Sequence, residues 1–300
     1  MPVSDALRIV DLPDNALVAV SGDDARLFLH GQLTNDVEAL RNGEAQLNGW
    51  CSPKGRLLAT FVLFQRDREY LALLPAGIAP AIAKRLAMFV LRSKVKIRDA
   101  SAEFDRLGLV GAGGAAAVEA LGAHADILVK ALAPEAWVVV APSNDARMAA
   151  WRASFEPAPR DAWDLALIRA GIPTVVAATQ DAFVPQMANF ELVGGVSFKK
   201  GCYPGQEIVA RTQYRGILKR RMAIAHVDGD RIPVPGESVY SKAFGEQSAG
   251  TVVNAAPAPG GGFDFLVVAQ LESLRDADLR LGSPEGAPIS VRSYPVVAAT

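Results

Sequence analysis

The sequence predicts an α+β fold: two successive α+β units of similar layout, followed by a small antiparallel β-barrel at the C-terminus. Three observations carry this expectation. Strand-like and helix-like stretches alternate over the first two-thirds of the chain, and the same order of elements recurs from about residue 101. Beyond about Arg220 only short strand-like runs remain, separated by Gly/Pro turns. With 300 residues, half of them hydrophobic, and a formal charge of -1, the chain can bury one large core or two to three smaller ones.

Taken in order, "ALVAVSG" (16–22) reads as a strand closed by a glycine. "DDARLFLHGQL" (23–33) then sets Ala25, Phe28, Leu29 and Leu33 at helical spacing, with Asp23 as N-cap. "AQLNGWCSPKGRLLATFVLFQ" reads as a hairpin turning at Ser52-Pro53-Lys54-Gly55, and "YLALLP" as a third strand. The period of "AIAKRLAMFVLR" (81–92) predicts a helix, and "KVKIRDA" returns as a strand. In the second unit "DRLGLVG", "ILVKAL" and "AWVVVAP" are strands, while "GAAAVEALG" and "SNDARMAAWRASF" are helices. "RDAWDLALIRAG" (160–171) is a further helix, stopped by Gly171 with Pro173 beyond. From Arg220 the runs "RRMAIAHVDG", "ESVYSKA", "SAGTVVNAA", "FDFLVVAQL" and "PISVRSYPV" predict strands and no helix. The expected division is residues 1–218, in two similar subdomains of roughly 1–100 and 101–218 with strand exchange between them, and residues 219–300.

The longest apolar runs, such as "LLATFVLF" (57–64), are too short to span a bilayer, and the N-terminus lacks the regions of a secretory signal. A cytoplasmic protein without membrane contact is expected. Two cysteines are too few for a disulfide scaffold and read as free thiols. His30, His124 and His226 lie at no metal-ligand spacing from one another or from a cysteine, so no metal site is expected. A G-x-S-x-G elbow is absent, which argues against a Ser-His-Asp hydrolase.

Several motifs carry two readings. "VGAGGAAA" (110–117) imitates a dinucleotide-binding loop through Gly111, Gly113 and Ala116, and equally suits an Ala/Gly-rich helix start packed on a sheet. Its mid-chain position and the lack of a suitably placed acidic residue weigh against the cofactor. Cys51, next to Trp50 in a hydrophobic hairpin, reads as packed rather than reactive. Trp163 is either a core side chain or a flat face for a heteroaromatic ligand. Seven basic residues (Lys199, Lys200, Arg211, Arg215, Lys219, Arg220, Arg221) against the single acid Glu207 form either a solvated face or a site for an anion: phosphate, polycarboxylate or nucleic acid.

Cys202, in "FKKGCYPGQEIVAR" (198–211), is the candidate reactive thiol. Pro204 suits the first turn of a helix through "QEIVARTQY", which puts Cys202 at a helix N-terminus, where free N–H groups favour a thiolate. Lys199, Lys200 and Arg211 push the same way. Glycine or alanine would fill a tight turn without a thiol's liabilities, so a merely structural role fits less well.

"KGCYPGQE" closely resembles the K-G-C-Y-x-G-Q-E signature of the YgfZ family of folate-binding proteins, relatives of the glycine-cleavage T-protein. "VSGDDARLFLHGQLTNDV" resembles that family's N-terminal block with its G-Q-x-T-x-D-V ending, and "LALIRAGIPTV" with "FVPQMANFELVGGVSF" its central block. The resemblance implies a duplicated ferredoxin-like folate-binding module of T-protein type followed by a C-terminal β-barrel. It implies tetrahydrofolate or a derivative as cofactor and iron–sulfur client enzymes as partners, including one that thiomethylates tRNA. Trp163 falls where the family has a folate-linked tryptophan, and the second such position is Asn15 here. Lys199, Lys200 and Arg211 join them as candidate folate contacts, and RNA is a possible partner for the basic stretch 199–221. Where the T-protein has an Asp-Asp pair, "KGRLLATF" offers Leu58 and Ala59, so aminomethyltransferase activity is not expected. The function expected is an accessory protein for iron–sulfur cluster assembly or repair, with a folate-dependent one-carbon transferase as the alternative.

Overall fold

The β-branched and aromatic runs of the first unit pair into one five-stranded antiparallel sheet. Its elements are β2 (Asn15–Ser21), α1 (Ala25–His30), β3 (Ala45–Cys51), β4 (Leu57–Arg66), β5 (Glu69–Pro75), α2 (Ala79–Ala87) and β6 (Lys96–Asp99), and they follow a short first strand, β1 (Arg8–Asp11). The second unit repeats the plan with β7 (Phe104–Val110), α3 (Gly114–Leu121), β8 (Leu128–Ala133), β9 (Ala136–Pro142), α4 (Ala146–Arg152) and β10 (Glu156–Pro157). The computed structural model describes residues 6–121, 126–214 and 218–293; His124 and Arg215 lie outside them.

The sheet orders are β3-β4-β5-β2-β6 and β10-β1-β7-β9-β8. Without β3 in the first and β1 in the second, each is a β-α-β-β-α-β unit with strand order 4-1-3-2, the ferredoxin-like arrangement. The expected α+β class with a duplicated module is therefore what the chain adopts. β1 comes from the N-terminal end of the chain, yet lies in the second sheet, antiparallel to β7 and parallel to β10.

The two sheets face each other across one core, in which Leu17, Phe64 and Leu71 of the first meet Leu128, Val138 and Val140 of the second. A second core packs Phe28, Leu29, Ile82 and Leu86 of α1 and α2 on the outer face of the first sheet. The helix α5 (Arg160–Arg169) closes the central core. An irregular block, residues 170–205, then straps onto β4: Thr60 Oγ1 accepts from Val175 N and donates to Pro173 O, and Leu57 N donates to Phe183 O.

After α6 (Gln206–Tyr214) the chain forms a closed barrel. Its strands are β11 (Arg220–Val227), β12 (Ser238–Tyr240), β13 (Gly250–Pro257), β14 (Phe263–Gln270), β15 (Leu279–Leu281) and β16 (Pro288–Ser293), in the order β11-β14-β13-β12-β15-β16. The expectation of no helix here is corrected by α7 (Leu271–Asp276) and a 3-10 turn at Lys242–Phe244. Both are shorter than two helical turns, so no period had room to show. The helix expected over 81–92 is likewise shorter, because the path turns after Ala87 and Leu91 takes a positive φ of 45°.

One close approach and one strand direction decide between the two readings of "VGAGGAAA". A Cβ at Gly114 would stand 2.1 Å from the Trp137 ring, so the glycine-rich start of α3 exists to let that indole pack. The strand before it, β7, belongs to an antiparallel ladder with β9 and β1, not to the parallel sheet a dinucleotide loop requires.

Candidate functional site

Two motifs far apart in sequence, "GQLTND" and "GGVSFKKGC", form the two sides of one structure. Thr34 is fully buried, donates through Oγ1 to Gly195 O (2.7 Å) and accepts from Gly49 N, while its carbonyl accepts from Ser197 N. Asn35 Nδ2 donates to Gly194 O and Leu47 O. Lys200, 8% exposed, completes the join: its ammonium donates to the last carbonyl of α1, that of His30, and to the carbonyl of Leu33 in the turn beyond it.

From the other side the hairpin tip holds the loop. Gly55 (φ +70°) and Gly205 (φ +79°) lie back to back: a Cβ on Gly205 would stand 2.4 Å from Ser52 O and 2.6 Å from Gly55. Here both the left-handed backbone and the close approach need glycine. Tyr203 is buried and its ring lies 4.9 Å from the Lys200 ammonium. Cys202 is exposed between these two anchors. The left-handed turn at Gly205 also corrects the helix start. The helix α6 begins at Gln206, so Pro204 lies in the preceding turn and Cys202 stands ahead of the first helical turn, not in it.

The other cysteine is different. Cys51 is 2% exposed in the central core, and burial pushes its thiol up to about 12. Burial lowers the Lys200 ammonium to about 8 from its ordinary 10.5, against the pull of Asp36, Glu38 and Cys202. Because the folded form gives up this proton first, the stability linked to Lys200 is absent below pH 8 and complete only above 10.5. The Cys51 shift has the opposite sign and acts from pH 9 upward, since only the unfolded thiol ionises there. Urea melts of reduced protein are therefore expected to show stability rising from pH 8 to 9, and Lys200→Met is expected to remove that rise; an equal rise in both proteins would exclude Lys200 as its source.

The basic stretch is divided by folding. Lys199, Arg211 and Lys219 are exposed and Arg220 is half-buried. Lys200 and Arg221 are buried and hydrogen-bonded, which removes them from any basic face. Arg221 forms an ion pair with Glu191, with both side chains at most 8% exposed, and also donates to Gln186 O (2.9 Å) and Asn189 Oδ1 (3.3 Å).

The remaining candidates lie with α5, and no described contact joins them to Cys202. Trp163 is 3% exposed within the central core, and a Cβ on Gly108 would stand 2.5 Å from its ring. The indole packs against β7 at Gly108 and leaves almost none of its surface accessible. Asn15 Oδ1 accepts from Arg160 Nη1 (3.1 Å), and Arg160 Nε donates to Asp164 Oδ1 (2.9 Å). Burial raises the Asp164 carboxyl above its usual range despite Arg160. Arg160 and Asp164, though neither Asn15 nor Trp163, line a cleft of about 340 Å³ together with Asp14, Leu167, Ile168 and Asn254. A wider cleft of about 800 Å³ on the other face of α5 includes Arg8, Asp161, Leu165 and Arg169. Arg160 and Asp164 were not singled out by the sequence; an i, i+4 Arg–Asp pair on the Trp163 helix is the signal that points to them. His30, Asp36 and Glu38, which also meet beside the Cys202 loop, were missed because two of the three are carboxylates.

No family model matches the chain. A tRNA-modifying protein YgfZ from Vibrio vulnificus (strain CMCP6) is 33% identical over 242 residues, covering 77% of this chain and 74% of that protein. The protein of the same name from Enterobacter sp. (strain 638) is 32% identical over 274 residues, covering 85% and 83%. That from Klebsiella pneumoniae (strain 342) is 29% identical over 300 residues, covering 93% and 90%. Among solved structures, the glycine cleavage system aminomethyltransferase T from Bartonella henselae shares the fold, with a TM-score of 0.75 over 97% of this chain and 86% of that one at 17% identity. Among the described residues no helix is long and apolar enough to cross a membrane.

Proposed function

The chain belongs to the YgfZ family of tRNA-modifying proteins, and on that premise we propose that it supports tRNA modification by binding a reduced folate and placing the Cys202 thiol at the service of iron–sulfur client enzymes. The observation that carries this reading is the mounting of Cys202. Buried Lys200 and Tyr203 fix the loop on either side, and the one exposed thiol among the described residues points outward between them. A single thiolate cannot hold a cluster alone, so the cluster is a substrate whose other ligands the client supplies. Cytoplasmic residence follows from the same reading, since tRNA modification takes place there.

The cleft of about 340 Å³ suits the folate ring system. A reduced pterin has an N–H and amino edge for the second oxygen of Asp164 to accept from, since among the described residues only Oδ1 is hydrogen-bonded. Leu167, Ile168 and Asn254 supply apolar walls and a polar rim. Arg160, tied to Asn15, holds the carboxylate in position, and Trp163 supports the helix from behind. When bound, the folate would supply a one-carbon or redox-active ring. An exposed face remains for RNA at Lys199, Arg211 and Lys219.

The shared fold with an aminomethyltransferase keeps a one-carbon transferase in view. Against it, the T-protein carboxylate positions carry Leu58 and Ala59, both buried in β4 with no proton acceptor to offer. The test is complementation of a strain lacking its own family member, read as tRNA thiomethylation. Cys202→Ala is expected to lose rescue while keeping tetrahydrofolate binding and stability, and Asp164→Asn to weaken folate binding by about tenfold or more, the scale of one lost charge-assisted hydrogen bond. Full rescue by Cys202→Ala would refute the thiol's role, and turnover of a labelled one-carbon folate by the purified protein would favour the transferase.

A further inference from the structure

The turn after α1 gathers three metal-ligating side chains that the proposed function leaves unused. One ligand atom from each of His30, Asp36 and Glu38 lies within 4.8 Å of the other two. His30 Nδ1 is shielded from solvent and has no hydrogen bond among the described residues, although it faces Asp36 Oδ1 at 3.3 Å; the His30 side chain is 11% exposed. That separation is the edge expected between two ligands of one ion. Bonds of about 2.1 Å give an edge of about 3.0 Å in an octahedral site and about 3.4 Å in a tetrahedral one.

The turn itself holds Asp36 in place, since its Oδ1 accepts from the backbone N–H of Glu38 (3.1 Å) and of Ala39 (3.2 Å). Among the described residues neither carboxylate is ion-paired to an arginine or lysine, and the nearby Lys200 ammonium is taken up by the carbonyls of His30 and Leu33. Two carboxylates thus face the imidazole nitrogen, and the Lys200 and Arg26 cations attract them only from a distance, without a direct ion pair among the described residues. Glu38 is exposed and free to swing inward. On its other side the imidazole abuts the Cys202 loop: a Cβ on Gly201 would stand 3.4 Å from His30 Nε2.

We propose that His30, Asp36 and Glu38 form a binding site for a divalent first-row transition ion of the zinc or ferrous class, beside the Cys202 loop. The imidazole selects such ions over magnesium and calcium, which prefer all-oxygen donors. Two carboxylates neutralise the ion, and three protein ligands leave a position open for water or an incoming group. The donor set is complete without the Cys202 thiol, so the site is independent of the reading proposed for that residue.

Cobalt(II) is the probe, because its visible absorption reports binding and coordination directly. The full-length protein is expected to bind one equivalent in the presence of excess magnesium. His30→Gln and Glu38→Gln are each expected to weaken binding by more than about tenfold, the scale that even groups behind the ligands can carry. Glu38 is exposed, so its variant tests the site without endangering the fold. Cys202→Ala is expected to bind as the parent does, with no thiolate-to-cobalt charge-transfer band in either protein. Absence of binding by the parent, unchanged binding in both ligand variants, or loss of binding in Cys202→Ala would each overturn the assignment.

Discussion

Replacing Arg221 with methionine is expected to destabilise the protein by about 3–5 kcal/mol, the usual cost of leaving one partner of a buried ion pair uncompensated. Arg221 is the second residue of the first barrel strand, and Glu191, Gln186 and Asn189, its partners, belong to the block that straps onto the first sheet. The pair therefore joins barrel to module, helped by Asn189 Nδ2 donating to Met222 O (2.8 Å). Burial already raises the Glu191 carboxyl above its usual range, with Arg221 acting to lower it. Removing the guanidinium takes away the main lowering influence. A raised folded-state value means that protonation favours the folded form, so the loss in Arg221→Met should shrink as pH falls towards the carboxylate range. Urea melts at pH 7 and pH 5 measure both effects. The double variant Arg221→Met/Glu191→Leu is expected to recover most of the loss, because two apolar groups of similar shape need no counter-charge. A double variant no more stable than the single one would show that the individual hydrogen bonds matter more than the pair.

Trp163→Ala is expected to cost about 3–5 kcal/mol, the range for deleting a buried aromatic side chain. The indole fills the space over Gly108 in the central core, so its loss opens a cavity that β7 cannot collapse to fill. The reciprocal change, Gly108→Ala, should cost about 1–3 kcal/mol through overpacking, because its Cβ would stand 2.5 Å from the ring. Combining Gly108→Ala with Trp163→Leu should be less damaging than the sum of the single changes, since each relieves the other's misfit. Denaturation measured on all four proteins decides this. Full additivity would mean that ring and glycine are not packed as described.

Much of the architecture was legible because it rests on local period and turn chemistry. The short apolar runs "ALVAVSG" and "YLALLP", each closed by a glycine or proline, the glycine in the Ser52–Gly55 turn and the helical spacing of Ala25, Phe28 and Leu29 each name an element without knowledge of its neighbours. The site was legible only in part. "KGCYPGQE" identifies Cys202 by its odd company, yet nothing in those residues shows that Lys200 turns inward to cap α1 while Lys199 faces solvent. The same limit applies to the basic stretch, where a run of charges cannot reveal that Arg221 is spoken for by Glu191 thirty residues earlier.

By itself the sequence determined the α+β class, the repeated unit and the change of texture at the barrel, and it marked Cys202 as the cysteine in the unusual setting. All of these depend on residues close together in the chain. The tertiary structure alone decided that β1 belongs to the second sheet, that Gly205 meets Gly55 and ends the turn before α6, and that Trp163 is core. It alone brought His30, Asp36 and Glu38 beside Cys202. The physical reason is common to all four. Which buried surface or charge a side chain meets is set by long-range packing, and such partners leave no period in the sequence to read.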